Sequence, residues 1–237
     1  MDSSTPSAIP DTLIKSKTER GREQLKETKI RIGVLASGRG SNLQAIIDAC
    51  KDGYIPGEVV CVISDKADAF ALERARREGI PAIFLDPTKY ESREEYDGRL
   101  VEILNEHKVD LVCLAGYMRI LTPRFIDAFR NRIMNIHPAL IPAFCGKGMY
   151  GLRVHKAVLD FGVKVTGCTV HFVTEEVDLG PIIIQIPVMV REDDTPESLS
   201  ERVLKREHRA YPRAIKLFAE GRLQIEGRRV RILPPNK

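Results

Sequence analysis

The feature that most constrains this chain is an alternation that begins at Ile30. Short runs of β-type apolar residues give way repeatedly to segments with helical periodicity. The first run is Ile30-Arg31-Ile32-Gly33-Val34-Leu35. A Gly/Ser turn follows, and then Leu43, Ile46, Ile47 and Cys50 recur at i, i+3, i+4 and i+7, one face of a helix. Further strands are predicted over residues 59–63, 81–85, 109–115 and 133–136, with helices over 69–78, 93–107 and 123–129 between them. Strands and helices alternating at this spacing imply βαβ units and a parallel sheet. The strands are continuous apolar runs, as expected when helices cover both sheet faces. The fold class is therefore α/β: an open, mostly parallel twisted sheet with helices on both faces.

After His137 the pattern changes. A Pro- and Gly-rich loop over 138–151 leads to a helix over 152–160 and two strands over 164–173 and 181–190. The acidic loop 174–180 joins them, so an antiparallel pair is expected. Thr195 caps a long helix with Pro196 in its first turn, and that helix ends before Gly221. Residues 1–29 mix Ser, Thr, Pro, Lys and Glu without an apolar period, apart from a helical tendency near Glu19 to Glu27. They are expected to be a disordered tail before a single domain over 30–237.

Composition removes several function classes. The 37 basic and 33 acidic residues nearly balance, and no basic stripe of a nucleic-acid binder appears. No run reaches the ~18 apolar residues of a membrane span, and the first 29 residues carry no signal-peptide core. The five cysteines are odd in number and never paired as CxxC, which disfavours a disulfide framework or zinc. Cys50, Cys61, Cys113 and Cys168 sit inside apolar patterns and read as core. A cytoplasmic protein without a metal is expected, with anionic small molecules as plausible partners.

Three places carry chemistry. The turn Ser37-Gly38-Arg39-Gly40-Ser41-Asn42 joins the first strand to the first helix, where glycines admit a ligand and free helix N–H groups attract an anion such as phosphate. A plain turn with a serine cap has the same composition. A nicotinamide site also competes, since Asp65 ends the second strand, but Leu43 stands where the third glycine of GxGxxG belongs. In Met134-Asn135-Ile136-His137-Pro138, Asn135 and His137 point the same way from an extended strand. They stand at its carboxyl end, where open α/β sheets bind ligands. An amide beside an imidazole suits a developing oxyanion and proton movement. A carboxylate to orient His137 is expected from Glu175, Glu176 or Asp178, which composition cannot separate. His171 reads as a structural histidine. Glu207 falls on the inward stripe of the last helix, where a carboxylate needs a partner: sugar hydroxyls or a nearby Arg.

Four segments together carry a resemblance: Gly38-Arg39-Gly40-Ser41-Asn42-Leu43-Gln44, Leu114-Ala115-Gly116-Tyr117-Met118-Arg119-Ile120-Leu121, Asn135-Ile136-His137-Pro138, and Val170-His171-Phe172-Val173 leading to Asp178-Leu179-Gly180-Pro181. From about Ile30 to Leu233 the chain resembles the glycinamide ribonucleotide formyltransferase family of purine synthesis. The resemblance implies the formyltransferase fold, with a Rossmann-like N-terminal half. It implies 10-formyltetrahydrofolate as a consumed co-substrate, glycinamide ribonucleotide as acceptor, no metal, and a monomer or homodimer. It implies Asn135, His137 and Asp178 as the catalytic trio, Gly40, Ser41 and Asn42 at the phosphate, and Glu207 on the ribose. Arg93, Met118, Arg119, Ile120, Leu121, Asn135 and the loop Thr174, Glu175, Glu176, Val177, Asp178 are implied at the folate, with Arg119 on its glutamate tail. The loop over 146–151 is longer than in shorter relatives. The related formyltetrahydrofolate hydrolase and methionyl-tRNA formyltransferase should carry an extra N-terminal or C-terminal domain, for which this sequence offers too few residues.

Overall fold

The structure, a computed structural model, describes residues 29–235; the expected tail over 1–28, with its helical tendency near Glu19 to Glu27, lies outside that range. In the described range the helix–strand alternation becomes β1 (Ile30–Leu35), α1 (Ser41–Lys51), β2 (Gly57–Ser64), α2 (Phe70–Arg77) and β3 (Ala82–Phe84). After a 3-10 turn (Pro87–Lys89) come α3 (Arg93–Glu106), β4 (Leu111–Leu114), α4 (Pro123–Ala128) and β5 (Ile133–His137). The second half adds α5 (Leu152–Phe161), β6 (Val165–Phe172), β7 (Ile182–Met189) and α6 (Pro196–Ala219). A closing hairpin, β8 (Leu223–Glu226) and β9 (Arg229–Ile232), was not expected from the sequence.

The strands form one sheet in the order β3-β2-β1-β4-β5-β6-β7-β9-β8. The pairs from β3 to β5 are parallel, and β6 runs antiparallel to both β5 and β7. Successive side chains alternate between two cores. Ile32, Val34, Leu111, Cys113, Met134 and Ile136 pack with α1, α2 and α6 on one face. Leu35, Val112, Leu114 and Ile133 pack with α3 and α4 on the other. Cys61, Cys113 and Cys168 are buried as expected, whereas Cys50 is only partly so. The last helix begins with a capping box: Thr195 accepts from Ser198 N, and Ser198 Oγ accepts from Thr195 N.

This topology concentrates the chemistry. The carboxyl ends of β1, β4 and β5 open on one edge, and the β6–β7 loop folds back over it. Antiparallel pairing sets Asn135 opposite His171 and His137 opposite Thr169.

Candidate active site

A single cleft of about 500 Å³ runs along that edge. Its wall brings together Gly40, Ser41, Asn42 and Glu207, the segment Met118, Arg119, Ile120 and Leu121, the loop residues Thr174, Glu175 and Val177, and Asn135, His137 and Asp178. Arg93 and Glu176 stand outside this wall. The Arg93 guanidinium instead donates to the carbonyl of Ile120, supporting the segment that does line the cleft.

The turn after β1 is held from below. Ala71 N donates to the Gly38 carbonyl at 3.0 Å, and Arg74 Nε donates to the Arg39 carbonyl at 2.9 Å. Gly40 takes the N-cap position of α1 at φ +68°, and no side chain caps the helix, so the expected alternative of a serine cap does not hold. The first-turn N–H groups that α1 cannot satisfy internally are left for an acceptor in the cleft. Asp65, the candidate ribose acid of a dinucleotide site, is buried under the turn and accepts from Ser37 Oγ at 2.6 Å. That bond, with the missing third glycine, removes the nicotinamide alternative.

Glu207 is 8% exposed, and of the two partners the sequence suggested, a nearby Arg is not the one found. Neither an Arg nor a bare apolar face meets it: Asn42 Nδ2 donates to its Oε2 at 2.7 Å. Burial raises its carboxyl above the usual range, and the Asn42 bond partly offsets this. Asn42 therefore serves the turn through its backbone and Glu207 through its side chain.

Of the three acids in the β6–β7 loop, geometry selects one. Glu175 pairs with Arg130 at 2.6 Å, which lowers its carboxyl, and Glu176 is exposed. Asp178 instead turns both oxygens inward. Its Oδ2 accepts from Gly146 N at 2.9 Å and lies 3.6 Å from His137 Nδ1, while its Oδ1 lies 3.5 Å from Asn135 Nδ2. The His137–Asp178 approach exceeds hydrogen-bond length, a slack that catalytic pairs commonly show before ligand binding. Asp178 has φ +57°, a left-handed conformation that aims its side chain back toward β5.

His171 is a buried, satisfied histidine as expected, and it also holds Asn135. Its Nδ1 lies 2.9 Å from the Phe172 carbonyl, so Nδ1 carries the proton; Nε2 can then accept from Asn135 Nδ2 at 3.2 Å. Burial pushes its pKa down and keeps it neutral. His155 of α5 also reaches the cleft, although nothing in the sequence separated it from an ordinary helix residue. Burial, reinforced by the ring of His137, pushes it down to about 4. Ser200 and Leu204 join Glu207 on the α6 side.

The loop carrying Asp178 leaves no room at Gly180, where a Cβ would overlap the Phe172 carbonyl oxygen. Gly180→Ala is expected to destabilise the fold by about 1–3 kcal/mol, as overpacking does. Calorimetry should show Tm lower by roughly 2–10 °C; an unchanged Tm would mean the loop relaxes freely.

Similarity to known proteins points the same way. The profile of the formyl transferase family matches residues 30–215. The chain is 46% identical over 196 residues to the phosphoribosylglycinamide formyltransferase of Escherichia coli (strain K12), covering 83% of this chain and 90% of that one. It is also 46% identical over 202 residues to the trifunctional purine biosynthetic protein adenosine-3 of Gallus gallus, which covers 85% of this chain but spans only 20% of that longer protein. Among solved structures, glycinamide ribonucleotide transformylase 1 from Symbiobacterium toebii superposes with a TM-score of 0.84 at 59% identity, covering 87% of this chain and 95% of that one.

Proposed function

The chain belongs to the formyl transferase family, and on that premise we propose that its cleft transfers the formyl group of 10-formyltetrahydrofolate to the amine of glycinamide ribonucleotide, a step of purine biosynthesis. The observation that carries this reading is the joining of an uncapped helix start, a buried carboxylate and the Asn135/His137/Asp178 group in one cleft.

The phosphate of the ribonucleotide lies on the N–H groups of Gly40, Ser41 and Asn42, and its ribose hydroxyls donate to Glu207. The folate lies along Met118, Arg119, Ile120 and Leu121, where exposed Met118 and Ile120 offer an apolar seat for a flat ring. Arg119 and Arg93 offer charge to its acidic tail, and Thr174 to Asp178 close the other side, Glu175 and Glu176 at its rim. The substrate amine attacks the formyl carbon, forming a C–N bond and a tetrahedral oxyanion. Asn135 donates to that oxygen, and the positive charge of protonated His137 stabilises it. The C–N bond to the folate nitrogen then breaks, and the proton lost by the amine passes to that leaving nitrogen with Asp178 and His137 assisting. The folate is consumed, and no metal or covalent enzyme intermediate takes part. Five free cysteines suit a cytoplasmic enzyme, working as a monomer or homodimer.

Incubation with both substrates should give stoichiometric formylglycinamide ribonucleotide and tetrahydrofolate; no product at micromolar enzyme would defeat the reading. Glu207→Gln should raise KM for the ribonucleotide by roughly tenfold, the cost of one weakened hydrogen bond to a charged group, and leave KM for the folate within twofold. Equal changes in both constants would take Glu207 off the ribose.

A further inference from the structure

Resting on the reading of His137 and Asp178 as the reacting pair, we propose that the turn over 144–146 is a main-chain strap that fixes the tautomer of His137. Phe144 and Gly146 are its positioning residues. The Phe144 carbonyl lies 2.9 Å from His137 Nε2. Two residues on, Gly146 N–H donates to Asp178 Oδ2, the oxygen that approaches His137 Nδ1. One short turn therefore grips both partners.

The consequence follows from valence. A carbonyl oxygen only accepts, so Nε2 must carry a proton to make that bond. A neutral imidazole has one N–H. With it on Nε2, the lone pair of Nδ1 faces the Asp178 carboxylate. Nδ1 is thus the nitrogen that takes up and releases the catalytic proton, and only the imidazolium satisfies both acceptors. Without the strap the carboxylate would favour the opposite tautomer, Nδ1–H toward Asp178 with Nε2 bare. The other titratable groups beside the ring, His155 and His171, are held neutral by burial and do not contend for this proton.

The strap is anchored away from the reacting atoms. The Phe144 ring meets Phe161 edge-on at 5.9 Å and packs against the larger core. Phe144 itself is left-handed, at φ +51°, which turns its carbonyl toward the histidine. Gly146 has φ +94° with nothing within 4 Å of where a Cβ would stand. Its substitution by Ala therefore acts through the backbone alone. The thiol of Cys145 between them is engaged by the Pro142 carbonyl.

The test is the nitrogen-15 spectrum of the histidine rings in the full chain without substrates, at a pH where His137 is neutral. The wild type should show a protonated Nε2 and a bare Nδ1 at His137. Gly146→Ala should shift that ring toward the Nδ1–H form and lower kcat by roughly 10- to 100-fold, the scale of a small misplacement of a catalytic group, with both KM values within about threefold. Gly53→Ala provides a matched control, at φ +72° with open space around it and remote from the cleft. It should keep the wild-type His137 spectrum and turnover. If Gly146→Ala folds poorly, Phe144→Ala, which removes the anchoring ring, should move the tautomer in the same direction. A wild-type His137 found as Nδ1–H, or strap variants with unaltered spectrum and turnover, overturns the proposal. The tautomer is read without turnover, so failure of formyl transfer would sink the functional reading and leave the strap separately measurable.

Discussion

His137→Ala is expected to fold, to bind both substrates, and to lose at least ~100-fold in kcat, the usual cost of removing an acid/base or oxyanion group. The ring is 4% exposed, so its loss also touches stability. Its one short bond is to the Phe144 carbonyl, and leaving that acceptor unpaired costs about 1–3 kcal/mol. That is a modest part of a domain's stability, so the variant should remain folded at room temperature. On the proposed reading, the contacts to phosphate, ribose and folate come from other residues, which is why KM should change little beside kcat. Steady-state kinetics alongside calorimetry separate the two effects. A folded variant with more than half the wild-type turnover would remove His137 from the mechanism.

What the sequence disclosed about this site follows the range of each interaction. Asn135 and His137 were legible together because a strand has a period of two, and two residues apart suffice to place them on one side. The same short-range logic located the turn at Gly40 and the cap at Thr195. Asp178 could not be told from Glu175 and Glu176, because the choice depends on Arg130, which draws Glu175 away, and on Gly146, which holds Asp178. His171 was legible as a structural histidine, but its tie to Asn135 was not, because the two meet only through register, which is not written in either strand alone. The partner of Glu207 lies 165 residues away in Asn42, beyond any local pattern. The C-terminal hairpin is a different case. Leu223 and Ile225, then Val230 and Ile232, alternate with charged or polar residues around Gly227, a hairpin signal short enough to overlook.

Gly40→Val joins these levels, and the structure changes the reason for its expected effect. From the sequence, a glycine here lets a phosphate approach the backbone. In the fold, the first obstacle is the protein itself: a Cβ at Gly40 would stand 2.8 Å from both Cα and Cβ of Ala71, at the start of α2. The residue also sits at φ +68°, where a β-branched side chain is strained. Overpacking and left-handed strain each cost about 1–3 kcal/mol, so Tm should fall by roughly 5–20 °C. Relief requires the turn to move off α2, which breaks the bonds from Ala71 N to Gly38 and from Arg74 to Arg39 and disperses the amides aimed into the cleft. Affinity for the phosphorylated substrate should then drop by ~100-fold or more, since several charge-assisted bonds are lost together. Folate affinity should stay within threefold, because the proposed folate contacts come from Met118 to Leu121 and the β6–β7 loop, which take part in neither of the broken bonds. Titration of each substrate separately into the variant checks this. An equal loss of both affinities would mean general collapse of the cleft, and an unchanged affinity for the ribonucleotide would remove the phosphate from this turn.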